Sequence, residues 1–113
     1  MEKENALSAL AALGQESRLD IFRLLIKAGG DGMLAGEIGK TLGFRPNTLS
    51  TNLSILTVAG LLRNKREGRA IRYFADFGGV RDLLAYLIED CCGGAPEQCQ
   101  SLLNEIACGC LEA

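Results

Sequence analysis

The sequence contains no histidine and no tryptophan, and only two prolines among its 113 residues. Without imidazole the usual neutral-pH general base is missing. So are the Ser-His and Cys-His nucleophile pairs and every His-containing metal site. Aromatic residues are scarce at 5%, too few to build the stacking platforms that single-stranded nucleic acids require. No apolar run approaches the roughly 18–20 residues of a membrane-spanning helix. The opening Met1-Glu2-Lys3-Glu4-Asn5 is polar and acidic where a secretory signal is basic. Together these absences predict a cytoplasmic chain with no membrane partner. Thiols stay reduced in that compartment, so five cysteines point to metal or redox chemistry more than to a disulfide frame.

What is present is unevenly distributed. The net charge is −2, yet residues 1–75 hold 11 basic and 7 acidic side chains, a balance of +4. Residues 76–113 hold Arg81 against seven acidic residues, and all five cysteines sit in that acidic tail. Screening limits the reach of charge to about 8–10 Å, so a basic body can bind DNA despite a negative total.

Length allows one compact unit. Leu7, Leu10 and Ala11 recur at helical spacing within Ala6 to Leu13, and a second helix restarts near Ser17 and ends at Ala28-Gly29-Gly30. A third runs over about Leu34–Leu42 and stops at Gly43. Pro46, suited to the first position of a helix, opens a fourth whose buried stripe is Leu49, Leu53 and Leu56. The period then changes. Two short strands flank Arg66-Glu67-Gly68-Arg69, a hairpin with a basic tip. Gly78-Gly79 reads as a turn before a fifth helix carrying Val80, Leu83, Leu84, Leu87, Ile88 and Cys91 on one face.

This order predicts a mainly helical, α+β winged helix-turn-helix. So small a fold would expose the apolar stripes of its N- and C-terminal helices, and burial against a second copy predicts a homodimer. The expected organisation is a DNA-binding and dimerisation domain over residues 1–90 and a Cys-rich inducer-binding tail over 91–113. The fourth helix offers short polar side chains to the major groove of double-stranded operator DNA: Asn47, Thr48, Ser50, Thr51 and Asn52, with Arg45 at its start. The wing adds Lys65, Arg66 and Arg69, within a local balance of +4 from Arg63, Lys65, Arg66, Arg69 and Arg72 against Glu67.

The segments Leu13-Gly14-Gln15-Glu16-Ser17-Arg18-Leu19, residues 42–56, Ala59-Gly60-Leu61-Leu62 and residues 66–73 resemble the ArsR family of metal-sensing repressors, over about residues 6–90. That resemblance implies a dimeric winged helix whose DNA affinity falls when an inducer binds. Three departures stand out. Gln15 and Glu16 replace a frequent Asp-Pro pair, which predicts a poorly capped second helix. Arg45 stands at a usual N-cap Ser and cannot accept the capping bond. Thr51 and Asn52 replace a common Arg-His pair, which predicts a different operator. The family's Cys-Val-Cys positions in the third helix are here Leu34-Ala35-Gly36, with Gly39 following. The tail is instead similar to a second arsenic-responsive branch, with a Cys-Cys pair at the end of the fifth helix and a third Cys shortly after.

The chemistry of the tail fits that likeness. Soft thiolates select soft ions, and three would neutralise As(III) or Sb(III) in a pyramid. Neighbouring residues on a helix point about 100° apart. Cys91 and Cys92 therefore share an ion only where the helix ends, and Gly93-Gly94 and Pro96 supply the turn that returns Cys99. The expected function is an arsenite- or antimonite-responsive repressor, not an enzyme and without an organic cofactor. Its inducer site is Cys91, Cys92 and Cys99, and Cys108 and Cys110 are accessory candidates. Two alternatives remain open. One is a cadmium, lead or zinc sensor using four thiolates. The other is a thiol redox switch, in which strain between neighbouring cysteines would make Cys99 the partner.

Overall fold

A computed structural model describes residues 1–89. Helices α1 (Lys3–Leu13) and α2 (Glu16–Ala28) lead into a short 3-10 turn and the two-residue strand β1 (Met33–Leu34). Helices α3 (Ala35–Leu42) and α4 (Pro46–Val58) follow, then strands β2 (Leu62–Glu67) and β3 (Ala70–Ala75) and helix α5 (Phe77–Leu87). This is a winged helix-turn-helix, as expected.

Local chemistry sets the boundaries. The Gln15 side chain accepts from the Arg18 N–H at 3.0 Å, so α2 is capped after all. Gln supplies the same carbonyl acceptor as Asn, on a stem one methylene longer. At the start of α3, the Leu34 N–H donates back to Glu37 Oε1 at 2.8 Å, and Gly43 ends the helix in the left-handed conformation.

The sheet is antiparallel, in the order β1-β3-β2. The β2–β3 register runs from Leu62 opposite Ala75 to Glu67 opposite Ala70, which leaves Gly68-Arg69 as a two-residue turn. Gly68 takes φ +65°, a conformation such a turn assigns to glycine. Strand β1 pairs Met33 with Tyr73. A Cβ on Gly32 would fall 2.4 Å from the Tyr73 carbonyl oxygen and 2.6 Å from the Phe74 ring, so only glycine lets the chain come this close to β3.

Ile21, Leu25, Ile38, Leu53, Leu56 and Leu61 form the fully buried centre. Helix α1 packs on it through Ala6, Ala9 and Ala12, while Leu7 and Leu10 point outward with 56% and 42% of their surface exposed. On α5, Leu83 is buried, but Leu84 and Leu87 are 42% and 51% exposed. The predicted exposure of terminal-helix stripes is present on both helices.

A second expectation fails. Gly78 and Gly79 are not a turn ahead of α5; they form its first turn, with Asp76 Oδ1 accepting from the Gly79 N–H at 3.1 Å. A Cβ on Gly79 would lie 1.9 Å from the Gly60 carbonyl oxygen, so the glycine lets α5 cross directly over the end of α4.

Candidate nucleic-acid interface

The reading unit is built from α3, the turn Gly43-Phe44-Arg45 and α4. Gly39 seats the two helices against each other: a Cβ there would sit 3.2 Å from Leu49 Cδ2. This close packing explains a residue that costs about 1 kcal/mol in a helix interior. Within α4, Leu49, Leu53 and Leu56 face inward as predicted. Asn47, Thr48, Ser50, Thr51 and Ser54 are exposed, and so is Arg45 at the N-cap. Arg45 makes no side-chain cap bond. The first-turn N–H groups of α4 therefore lack a side-chain acceptor from the cap and, with the helix dipole, form an environment that attracts phosphate. The Thr51 hydroxyl donates to the Asn47 carbonyl at 3.1 Å, so Thr51 offers outward its methyl group and an acceptor oxygen.

Asn52 requires a correction. It was expected among the outward groups, but it is only 7% exposed, and its Oδ1 accepts from Arg18 Nη1 at 3.3 Å. The signal was in the spacing: Asn52 stands at i+3 from Leu49 and i−4 from Leu56, on the inward stripe. Arg18 was not singled out from the sequence, although it precedes Ile21 and Leu25 by three and seven residues and so lies on the buried side of α2.

On the wing, Lys65, Arg66 and Arg69 are exposed, as a phosphate-facing surface requires. The five cations are not equivalent. Arg72 Nε pairs with Glu67 Oε2 at 2.9 Å, and its Nη1 donates to the Asp31 carbonyl at 3.1 Å. The Glu67 hydrogen bond raises the Arg72 pKa above its ordinary value. Arg63 stacks over the Phe74 ring at 4.4 Å, and Arg66 Nε donates to the Gly68 carbonyl at 3.3 Å. Lys65 and Arg69 are left as the most freely offered charges. Phe74 is buried and Tyr73 half-buried, so neither forms a base-stacking platform.

A groove of about 700 Å³ joins the helix to the wing. Phe44, Leu49, Leu53, Ile71 and Tyr73 give it an apolar lining. Ser50 of α4 and Arg69 of the wing border the same space, with Lys40 of α3. Ser50 on the helix and Arg69 at the basic tip of the hairpin thereby face one space.

Cys91, Cys92, Cys99, Cys108 and Cys110 lie outside the described residues, as does the expected tail over 91–113. Among the described residues no three His, Cys, Asp or Glu side chains come together as a metal site, and no helix is long and apolar enough to cross a membrane.

Residues 13–64 match a helix-turn-helix domain model. No curated protein matches the chain. Among solved structures, an ArsR-like transcriptional regulator from a Rhodococcus species is similar with a TM-score of 0.67 and 25% sequence identity, over 92% of this chain and 93% of that one. HlyU from Vibrio cholerae gives a TM-score of 0.62 at 27% identity, over 78% of this chain and 95% of its own. A third is the homodimeric winged helix-turn-helix DNA-binding domain of a possible ArsR-family transcriptional regulator from Mycobacterium bovis. It has a TM-score of 0.62 and 27% identity, with 77% of this chain and 80% of that one covered. The chain thus carries a helix-turn-helix domain inside a winged-helix fold that it shares with ArsR-like transcriptional regulators.

Proposed function

We propose that this protein is a dimeric transcriptional repressor that binds operator DNA through α4 and the wing and releases it when As(III) or Sb(III) occupies cysteines of the tail. The observation carrying the DNA reading is the shared groove, which Ser50 of the helix and Arg69 of the hairpin both border. A helix of short polar side chains beside a basic hairpin suits a major groove and its flanking phosphates. Leu7, Leu10, Leu84 and Leu87 supply the apolar faces that a second copy would cover.

The inducer reading rests on the sequence of the tail. Arsenous acid and three thiols, from Cys91, Cys92 and Cys99, give the tris-thiolate and three waters, with the thiol protons leaving on the displaced hydroxides. Cys91 follows Leu87 by four residues in the sequence, and in this reading an ion held by the tail bears on the dimer contact. A change in that contact alters the separation of the two reading helices, which must match half-sites about 34–36 Å apart or a multiple of that. Linkage requires DNA to weaken inducer binding by the same factor.

The test is release from a duplex selected out of a random pool, with arsenite, antimonite, cadmium and zinc each titrated in. Arsenite and antimonite should release the wild-type protein, and Cys92→Ser should bind DNA normally and stay bound. Release of Cys92→Ser by arsenite at the wild-type concentration would exclude this site. The five cysteines, where three suffice for arsenic, favour one second reading. In it Cys108 or Cys110 completes a four-thiolate site for cadmium, lead or zinc. A chain ending before Cys108 separates the two, since only the arsenic response should survive. Peroxide-driven release without metal would instead support the redox switch.

A further inference from the structure

Arg18 ties three helices together at one point. Its Nε donates to the Ala12 carbonyl at the end of α1 at 2.7 Å, and its Nη1 donates to Asn52 Oδ1 in the middle of α4 at 3.3 Å. Arginine has donors and no acceptor. The amide oxygen of Asn52 must therefore be the atom that faces it, and chemistry alone fixes which way this amide points. Asn52 Nδ2 makes no hydrogen bond among the described residues, yet no buried side-chain nitrogen or oxygen there lacks a partner. Nδ2 is therefore not sealed inside the protomer among the described residues, and Asn52 lines a hollow of about 330 Å³ with Asn47, Thr48 and Thr51.

The position of that hollow decides what Nδ2 can meet. Successive helical residues lie about 100° apart, so Asn52 is on the flank of α4, away from the outermost edge that carries Asn47 and Thr51. A helix lying in the major groove turns its outermost edge to the bases and its flanks to the sugar–phosphate walls. The hollow offers a neutral donor, with no carboxylate among its four lining residues to repel an anion.

We propose that Arg18 is a positioning residue for DNA contact: it holds the Asn52 amide so that Nδ2 donates to a phosphate oxygen of the duplex. The proposal rests on the DNA-binding reading above. Arg18 itself touches no DNA. Without it the amide is free to turn its oxygen toward the phosphate, which replaces attraction with repulsion.

The experiment measures affinity across a salt series for the selected duplex and for a scrambled one. Wild type is compared with Asn52→Ala, Arg18→Met, Arg18→Lys and the Arg18→Met/Asn52→Ala pair. A hydrogen bond to a charged group is a strong one, so Asn52→Ala should weaken binding to both duplexes by roughly tenfold or more. Arg18→Met should do the same, the double variant should be no weaker than Asn52→Ala alone, and Arg18→Lys should recover part of the loss. The salt slope should not change, because Asn52 is neutral; a cation lost from a phosphate would lower it by about one.

Independent, multiplying losses would overturn the proposal. So would a loss confined to the selected duplex, which would make Asn52 a base reader, or a salt slope lowered in Arg18→Met. If Arg18→Met does not fold, Asn52→Asp decides. It keeps an acceptor for Arg18 but presents an oxygen outward, and wild-type affinity in that variant would refute the idea. Failure of wild type to bind any duplex defeats the DNA reading itself; binding with unaltered variants defeats only the role of Arg18.

Discussion

Helices α1 and α4 make opposite use of their side chains. Helix α1 turns its smallest residues, Ala6, Ala9 and Ala12, to the core and leaves Leu7 and Leu10 outside. Helix α4 buries Leu49, Leu53 and Leu56 and leaves Asn47, Thr48, Ser50 and Thr51 outside. Burial is worth about 25 cal/mol per Å² of apolar surface, so a lone protomer gains most by the arrangement of α4. The arrangement of α1 is favourable only when something apolar covers its outer face. The alanines have a second effect, since they let α1 lie close enough to α2 for Arg18 to reach the carbonyls at its end. One helix is finished inside the protomer and the other is not.

The contrast can be broken at its strongest point. Leu53 is fully buried, and Leu53→Ala should cost the protomer about 2–5 kcal/mol, read as a lowered thermal midpoint at every protein concentration. Leu10→Ala removes the same atoms from an exposed position. It should leave the protomer's own stability within about 0.5 kcal/mol and weaken only association. Equal, concentration-independent losses at the two sites would show that the outer face of α1 belongs to the protomer's core.

A second change sharpens the comparison by charging the unfinished face. Leu10→Glu combined with Leu84→Glu should give a folded monomer, with unchanged helical content by circular dichroism and half the mass by sedimentation. Its affinity for a two-half-site duplex should fall by roughly 100-fold or more, because two linked reading helices become two independent ones. A variant that sediments as a dimer would move the interface elsewhere.

These faces were legible in the sequence to different degrees. Periodicity gave the helices, the hairpin and the stripe of α4, because amphipathic spacing reports directly on a core-facing side. It gave the exposed leucines of α1 and α5 as well, since apolar residues beyond what a small core can hold must appear outside. Strand β1 escaped notice because two residues carry no period; β3 and the absence of a Cβ at Gly32 define it. Gly78-Gly79 misled because glycine is read as a turn, whereas here a helix crossing needs backbone against backbone. Asn52 was misplaced, and Arg18 passed over, for a related reason. A polar residue on an apolar stripe is taken for surface until its partner, here 34 residues away, is in view.

The smallest effect lies in the wing, where the same contrast between completed and uncompleted groups recurs among like charges. Arg72 and Arg69 are both arginines of the hairpin, three residues apart. Arg72 is completed within the protomer by Glu67 and the Asp31 carbonyl, whereas Arg69 borders the groove beside Ser50 and makes no ion pair among the described residues. Each cation that neutralises a phosphate releases counterions and adds about 0.9 to the slope of log affinity against log salt. Arg69→Ala should therefore lower that slope by about one per protomer and weaken binding to selected and scrambled duplexes alike. Arg72→Ala should lower it less, because Arg72 is held by Glu67 and the Asp31 carbonyl instead of being offered to phosphate, while the uncovered Glu67 weakens binding through its charge. Since solvent screens exposed ion pairs strongly, Arg72→Ala should also leave thermal stability nearly unchanged. Adding Glu67→Ala to it should restore the wild-type affinity in part. Equal slopes in the two single variants would mean that DNA opens the Arg72–Glu67 pair on binding, and that the wing presents both arginines to phosphate.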